Sequence, residues 1–106
     1  MNIKSFAETV QAQTLERFIR EYPDAALAGM VDSWAKAKIR PGRKYTRVDV
    51  GDSGKYMIDQ AGNIYGIKAY GVPHLGKRFG TLETVDQFYW GGYYATRRAE
   101  PCVKSI

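Results

Sequence analysis

The chain has 106 residues, 44% hydrophobic and 25% charged, with a formal net charge of +5. This length and balance fit one globular domain around a single core and exclude a disordered chain, apart from its ends. No stretch approaches the roughly 20 apolar residues that span a bilayer, and a lone cysteine, Cys102, excludes a disulfide framework or a Cys-based zinc site; Met1 to Val10 carries Lys4 and Glu8 and no secretory-type apolar run, so no signal peptide and a cytoplasmic location are the expectation.

Ser5 and Glu8 stand at capping-box spacing and are expected to open a first helix. Leu15, Phe18, Ile19 and Tyr22 follow at i, i+3, i+4 and i+7, and Phe6 and Val10 extend the apolar stripe. Pro23 pushes Tyr22 out of the α region. Asp24 is the expected N-cap of a second helix, with Leu27, Met30, Val31 and Trp34 as its stripe. Alanines support that helix, Gly29 weakens it slightly, and Pro41-Gly42 ends it. The helical part therefore covers about residues 5–39, as an αα-hairpin or an L-shaped pair.

Beyond Gly42 the period changes to two. Thr46, Val48 and Val50 alternate with Tyr45, Arg47 and Asp49, which predicts a half-buried strand with one charged face. Gly51-Asp52-Ser53-Gly54 is a turn, and Lys55 to Asp59 a second strand with Tyr56 and Ile58 on one face. Ala61-Gly62-Asn63 supplies a tight hairpin, and Ile64 to Tyr70 is a third strand with Tyr65, Ile67 and Ala69 on one face. Gly71 to Gly80 reads as a loop. Thr84 and Gln87 are spaced to cap a short helix, the aromatic run Phe88-Tyr89-Trp90 leads into a final strand, and the tail from Ala99 is expected to be loosely held. The expected fold is α+β, with two N-terminal helices followed by a three- to four-stranded antiparallel β-meander over about residues 44–97, all in a single domain.

The charge is unevenly placed: residues 1–40 carry a net +1 and residues 41–106 a net +4. Lys36, Lys38, Arg40, Arg43, Lys44 and Arg47 form a basic run with no acid between Ser33 and Val48. Such a run is either a patch for nucleic-acid phosphates or an acidic partner, or a solvated joint. Of eight tyrosines, six follow residue 55. Tyrosine suits interfaces, because it joins a large apolar body to a polar tip, and it equally suits sheet packing. Tyr65, Tyr70, Tyr93 and Tyr94, with His74, Lys77 and Arg78 of the Gly-rich loop, are the candidate partner contacts.

His74 is the only histidine, and no nucleophile or carboxylate stands near it in sequence to suggest a dyad. Gly51-Asp52-Ser53-Gly54 lacks the lysine and helix of a P-loop, and Asp49, Asp52 and Asp59 lack the spacing of a calcium loop. No catalytic residue, metal or cofactor is indicated.

The segment Gly54-Lys55-Tyr56-Met57, Gly62-Asn63-Ile64-Tyr65-Gly66-Ile67-Lys68-Ala69-Tyr70-Gly71, His74 and Gly80-Thr81-Leu82 resembles small uncharacterised proteins of bacteriophages and prophages, over about the middle third of the chain. The resemblance implies a phage or mobile-element origin and assigns no activity to any residue. The expectation is a non-enzymatic accessory protein that binds and modulates a host protein or nucleoprotein complex, of the counter-defence inhibitor type. The alternative is a small basic nucleic-acid-binding protein.

Overall fold

A 19-residue helix, α1 (Ile3–Glu21), lies across a five-stranded antiparallel sheet in this computed structural model, which describes residues 2–51, 53–69, 71–92 and 95–97. Asn2 caps α1: its Oδ1 accepts from the Ser5 amide at 2.7 Å, so Ser5 and Glu8 lie inside the helix instead of opening it. Asn and Ser cap about equally well, and the one placed earlier takes the orphan amides. The buried side of α1 is Phe6, Ala7, Val10 and Thr14. Ile19 and Tyr22, assigned by spacing to the same stripe, are 49% and 48% exposed.

The second expected helix is two single turns, α2 (Pro23–Leu27) and α3 (Val31–Ala35). Pro23 starts α2 at a position where its missing N–H costs nothing, and Tyr22, not Asp24, is the cap residue. Gly29 ends α2. It sits at φ +75°, its N–H donates to the Ala26 carbonyl, and the Met30 N–H donates to the Ala25 carbonyl, both at 3.0 Å. This Schellman pattern satisfies the last carbonyls and turns the chain. Of the stripe Leu27, Met30, Val31 and Trp34, only Val31 is buried.

The strands are β1 (Ala37–Arg40), β2 (Tyr45–Val50), β3 (Ser53–Asp59), β4 (Asn63–Ala69) and β5 (Val72–Thr81), in that spatial order. The meander β2–β3–β4 stands in the expected order, but Ser53 and Gly54, expected in a turn, open β3, Met57 is buried along with Tyr56 and Ile58, and β4 buries Ile64 and Gly66 in place of the Tyr65, Ile67 and Ala69 side. Two further strands fall where none was expected. Ala37 to Ile39, expected to end the helical part, instead form β1 with Arg40 and pair with β2, Ala37 opposite Val50 and Arg40 opposite Arg47. The segment read as the loop Gly71 to Gly80 is an edge strand whose pairing breaks: Tyr65 faces Arg78 while the next residue, Gly66, faces His74. Leu75, Gly76 and Lys77 are thereby left over between the two pairings. Pro73 is tolerated here because β5 is an edge and its other side needs no N–H.

A bulge also interrupts β2–β3: Val48 faces Tyr56 and Asp49 faces Gly54, so Lys55 is the extra residue. It breaks the expected alternation, and Asp49, assigned to an exposed charged face, is 4% exposed. After β5 a 3-10 helix (Leu82–Gln87) is capped by reciprocal bonds between Thr81 and Thr84, and β6 (Phe88–Tyr89) pairs with β7 (Thr96–Arg97) as a separate ribbon. The expected state of the tail from Ala99 lies outside the described residues.

The core joins Phe6 and Val10 of α1 to Val48, Val50, Tyr56, Ile58, Ile64, Val85, Phe88 and Trp90. Trp90 is fully buried, edge-on to Phe6 at 4.8 Å and to Tyr56 at 5.2 Å between ring centroids. Its indole Nε1 donates to the Val85 carbonyl at 2.8 Å, and its backbone N–H donates to Gln13 Oε1 of α1 at 2.7 Å. Each edge-to-face pair adds about 0.5–1.5 kcal/mol beyond the burial itself. Among the described residues no helix is long and apolar enough to cross a membrane.

Candidate anion-binding cleft

Where α1 and α3 pass over the sheet near the bulge between β2 and β3, they leave a cleft of about 760 Å³. Its helical wall is Thr14, Arg17 and Phe18 of α1 with Ser33 and Trp34 of α3. Lys36 and Lys38 flank the start of β1, Lys55 and Tyr56 come from β3, and Lys77 and Phe79 from β5. Five lining side chains are thus cationic, and no carboxylate lines the cleft among the described residues.

Local geometry explains how residues so distant in sequence meet. In a regular strand Lys55 and Tyr56 would point to opposite faces. The bulge at Val48/Asp49 relaxes that alternation, and both line the cleft. The Gly51 N–H donates to the Lys36 carbonyl at 2.8 Å and ties the β2–β3 turn to the end of α3. A Cβ at Gly51 would stand 2.8 Å from the Trp34 carbonyl oxygen, so only glycine permits this approach. Gln11 Oε1 accepts from the Ala37 N–H at 3.0 Å and holds the start of β1 to α1. At Gly66 a Cβ would press on the Phe79 ring at 3.2 Å.

Arg17 Nε donates to the Gly91 carbonyl, and Nη1 bonds Glu21 at 2.9 Å, so this cation is oriented and partly balanced. Burial, and then the neighbouring Arg17 charge, hold the Lys55 ammonium below the ordinary lysine range. Burial pushes the Tyr56 phenol far above its ordinary range, so it remains an O–H donor at any working pH. Thr14 Oγ1 and the Tyr56 hydroxyl, on two of the lining residues, are closed to solvent and have no hydrogen-bond partner among the described residues.

The structure divides the basic run. Lys36 and Lys38 line the cleft. Arg40 donates to Asp49 Oδ2 at 2.9 Å and compensates that buried carboxylate. Arg43 and Lys44 are exposed at a second, smaller hollow of about 230 Å³ that is also lined by Asp59 and Gln60. Arg47 is half-buried on β2, facing Met57 across the pair.

The other candidates scatter as well. Lys77 reaches the cleft. Arg78 Nε donates to Asn63 Oδ1 at 3.0 Å, and the Tyr65 hydroxyl donates to Asp59 Oδ2 at 3.3 Å, so both brace the β3–β4 hairpin. His74 is half-buried in β5, opposite Gly66. Tyr70, Tyr93 and Tyr94 lie outside the described residues. Among those described, no three His, Cys, Asp or Glu side chains come together as a metal site.

Sequence reasoning missed Thr14, Arg17, Lys55 and the cleft positions of Phe18, Trp34 and Tyr56. Helical spacing assigned Phe18 and Trp34 to apolar stripes, and no linear signal marks the others. Comparison with family models, curated proteins and solved structures found no match for the chain.

A second surface adjoins the cleft. Ile19, Tyr22, Leu27, Met30 and Trp34 are all exposed at the corner where α1, α2 and α3 meet, Leu27 at 89%. Phe18, Tyr22 and Trp34 form a ring of edge contacts with centroids 5.9–6.2 Å apart.

Proposed function

We propose that this chain is a non-enzymatic binding protein whose cleft takes a nucleic acid, free or within a host nucleoprotein complex. The observation that carries the reading is the lining, in which Arg17, Lys36, Lys38, Lys55 and Lys77 are interleaved with Phe18, Trp34 and Phe79. Cations neutralise backbone phosphates and release counterions, while aromatic faces receive bases. A phage or mobile-element accessory role agrees with the resemblance of the middle segment and needs no catalytic set.

The test is a binding titration of labelled single-stranded and duplex oligonucleotides over a salt series. Binding is expected to weaken steeply with salt, and Lys36→Ala with Lys38→Ala to make the log–log slope shallower by about 1.4 for a single strand. Absence of binding to either oligonucleotide at low salt refutes the reading.

A protein partner is the second reading, favoured by the exposed corner of Ile19, Tyr22, Leu27 and Met30. A tagged pull-down from bacterial lysate with and without nuclease separates the two. A partner retained after nuclease and lost in Leu27→Asp supports docking at the corner; material that vanishes with nuclease leaves the nucleic-acid reading alone.

A further inference from the structure

We propose that the exposed corner of α1, α2 and α3 is the contact face of a two-fold homodimer, its occupant a second copy of this chain. This rests on the protein-partner reading of that corner and names the partner.

Of the eight large apolar side chains left exposed among the described residues, five fall between residues 19 and 34: Ile19, Tyr22, Leu27, Met30 and Trp34. The helical turn α2 buries none of its residues, so Leu27, at 89% exposure, contributes nothing to the core. Leu27, Met30, Val31 and Trp34 recur at the spacing of a packed helical face, yet only Val31 packs inward. Apolar surface clustered in this way marks an interaction face. The corner is also braced before any partner arrives. Phe18 and Tyr22 of α1's end meet Trp34 of α3 in mutual edge contacts, so fewer side chains are left to order on docking.

Area and charge both fit a second copy. At these exposures the five side chains leave on the order of 600 Å² of mostly apolar surface, the top of the range for the largest patch on a monomer. A stable pair takes about 800 Å² per partner, with an apolar centre and a polar rim. Arg20, Asp24, Asp32 and Ser33 are exposed between and beside the five in the chain and supply that rim. Residues 17–34 hold Arg17 and Arg20 against Glu21, Asp24 and Asp32, a net of −1, while the rest of the chain carries +6. Two copies repel through their basic faces and approach most easily through this one. Because the face carries both signs, it can pair with itself about a two-fold axis, as an isologous contact demands.

The experiment is sedimentation equilibrium of the nuclease-treated full chain, from micromolar to submillimolar concentration at low and high salt. The samples are the wild type, Leu27→Asp, Met30→Asp and Leu75→Asp. The wild type is expected to approach twice the 12.0 kDa chain mass at both salts, since salt screens charges and leaves apolar burial in force. Leu27→Asp and Met30→Asp each bring a carboxylate into the contact and are expected to weaken the pair at least about tenfold. Leu27 and Met30 are 89% and 50% exposed, so Tm is expected to hold near the wild-type value, which verifies folding. Leu75→Asp changes a comparably exposed apolar residue on the edge strand β5 and is expected to leave the pair intact. A monomer throughout the range overturns the proposal, and a pulled-down partner lost in Leu27→Asp would then leave the wider protein-partner reading standing. A mass that climbs past two copies overturns the closed pair. So does a pair that survives both corner variants, or one that Leu75→Asp disrupts equally.

Discussion

Gly29 and Gly51 both adopt left-handed backbone, at φ +75° and +60°, but their surroundings differ. A Cβ at Gly29 would meet nothing within 4 Å, whereas one at Gly51 would stand 2.8 Å from the Trp34 carbonyl oxygen. Alanine in left-handed backbone costs about 1–2 kcal/mol, offset by about 0.4–1 kcal/mol from the stiffer unfolded chain. Gly29→Ala should therefore lose about 1 kcal/mol. Gly51→Ala carries the same strain plus an overpacking term of about 1–3 kcal/mol against backbone that cannot rotate away, for a total of roughly 2–4 kcal/mol. At about 4–8 °C per kcal/mol for a domain of this size, Tm should fall by about 4–8 °C in the first variant and at least about twice as far in the second. Scanning calorimetry with urea titration measures both. Because Gly51 also ties the β2–β3 turn to Lys36, its alanine variant should weaken oligonucleotide binding, while Gly29→Ala should leave it unchanged. Equal stability losses, or wild-type binding in a folded Gly51→Ala protein, would refute the claim that Gly51 positions the rim of the cleft.

Other consequences concern charge and core. Arg40→Met removes the cation 2.9 Å from Asp49, a carboxylate only 6% exposed at its side chain, and should cost about 1–3 kcal/mol in denaturant titration. Lys55, lowered by burial and by Arg17, binds fewer protons when folded than when unfolded between its lowered pKa and the ordinary 10.5. Stability contributed by this residue therefore rises with pH across that window, so Lys55→Met should stabilise the free protein at neutral pH, with the advantage shrinking towards pH 10.5. Asp59 behaves oppositely. Burial alone would raise it, but donors from the Asn63 side chain and amide, the Ala61 amide and the Tyr65 hydroxyl outweigh that and hold it low. Its contribution is complete above the ordinary carboxylate range and is lost as pH falls through the lowered value, and Asp59→Asn should flatten the acid limb of the stability profile. Trp90→Ala empties the centre of the core and should cost about 3–5 kcal/mol.

The parts of the fold legible in the sequence are those with local causes. Alternation marks β2, β3 and β4, Gly62 marks their hairpin with φ +90°, and Pro23 marks the end of α1. What was illegible depends on partners distant in sequence. Gly29 inside an alanine-rich stretch looks like a weak helical residue, and only the chain's turn afterwards makes it a terminator. Lys36 to Arg40 does alternate charged and apolar residues, but the run is only a few residues long and follows directly on an alanine-containing helical stretch, while the Gly-rich segment before Thr81 lacks alternation and its pairing with β4 is broken by register shifts.

The candidate site was less legible still. The basic run looked continuous, yet the β1–β2 hairpin sends Lys36 and Lys38 to the cleft, Arg40 to Asp49, and Arg43 and Lys44 to a different hollow. Thr14, Lys55 and Tyr56 of the cleft lining carry no functional motif in the linear sequence. A bulge and a helix crossing bring them together, and neither leaves a mark on composition.

The most direct test of the cleft as the nucleic-acid site is a 15N amide chemical-shift titration of the intact protein with an oligo-dT 12-mer at low salt. The account expects the largest changes around Arg17, Trp34, Lys36, Lys38, Lys55 and Lys77, with the Trp34 indole signal among them. Changes centred on Arg43, Lys44 and Gln60, with the cleft unmoved, would contradict it.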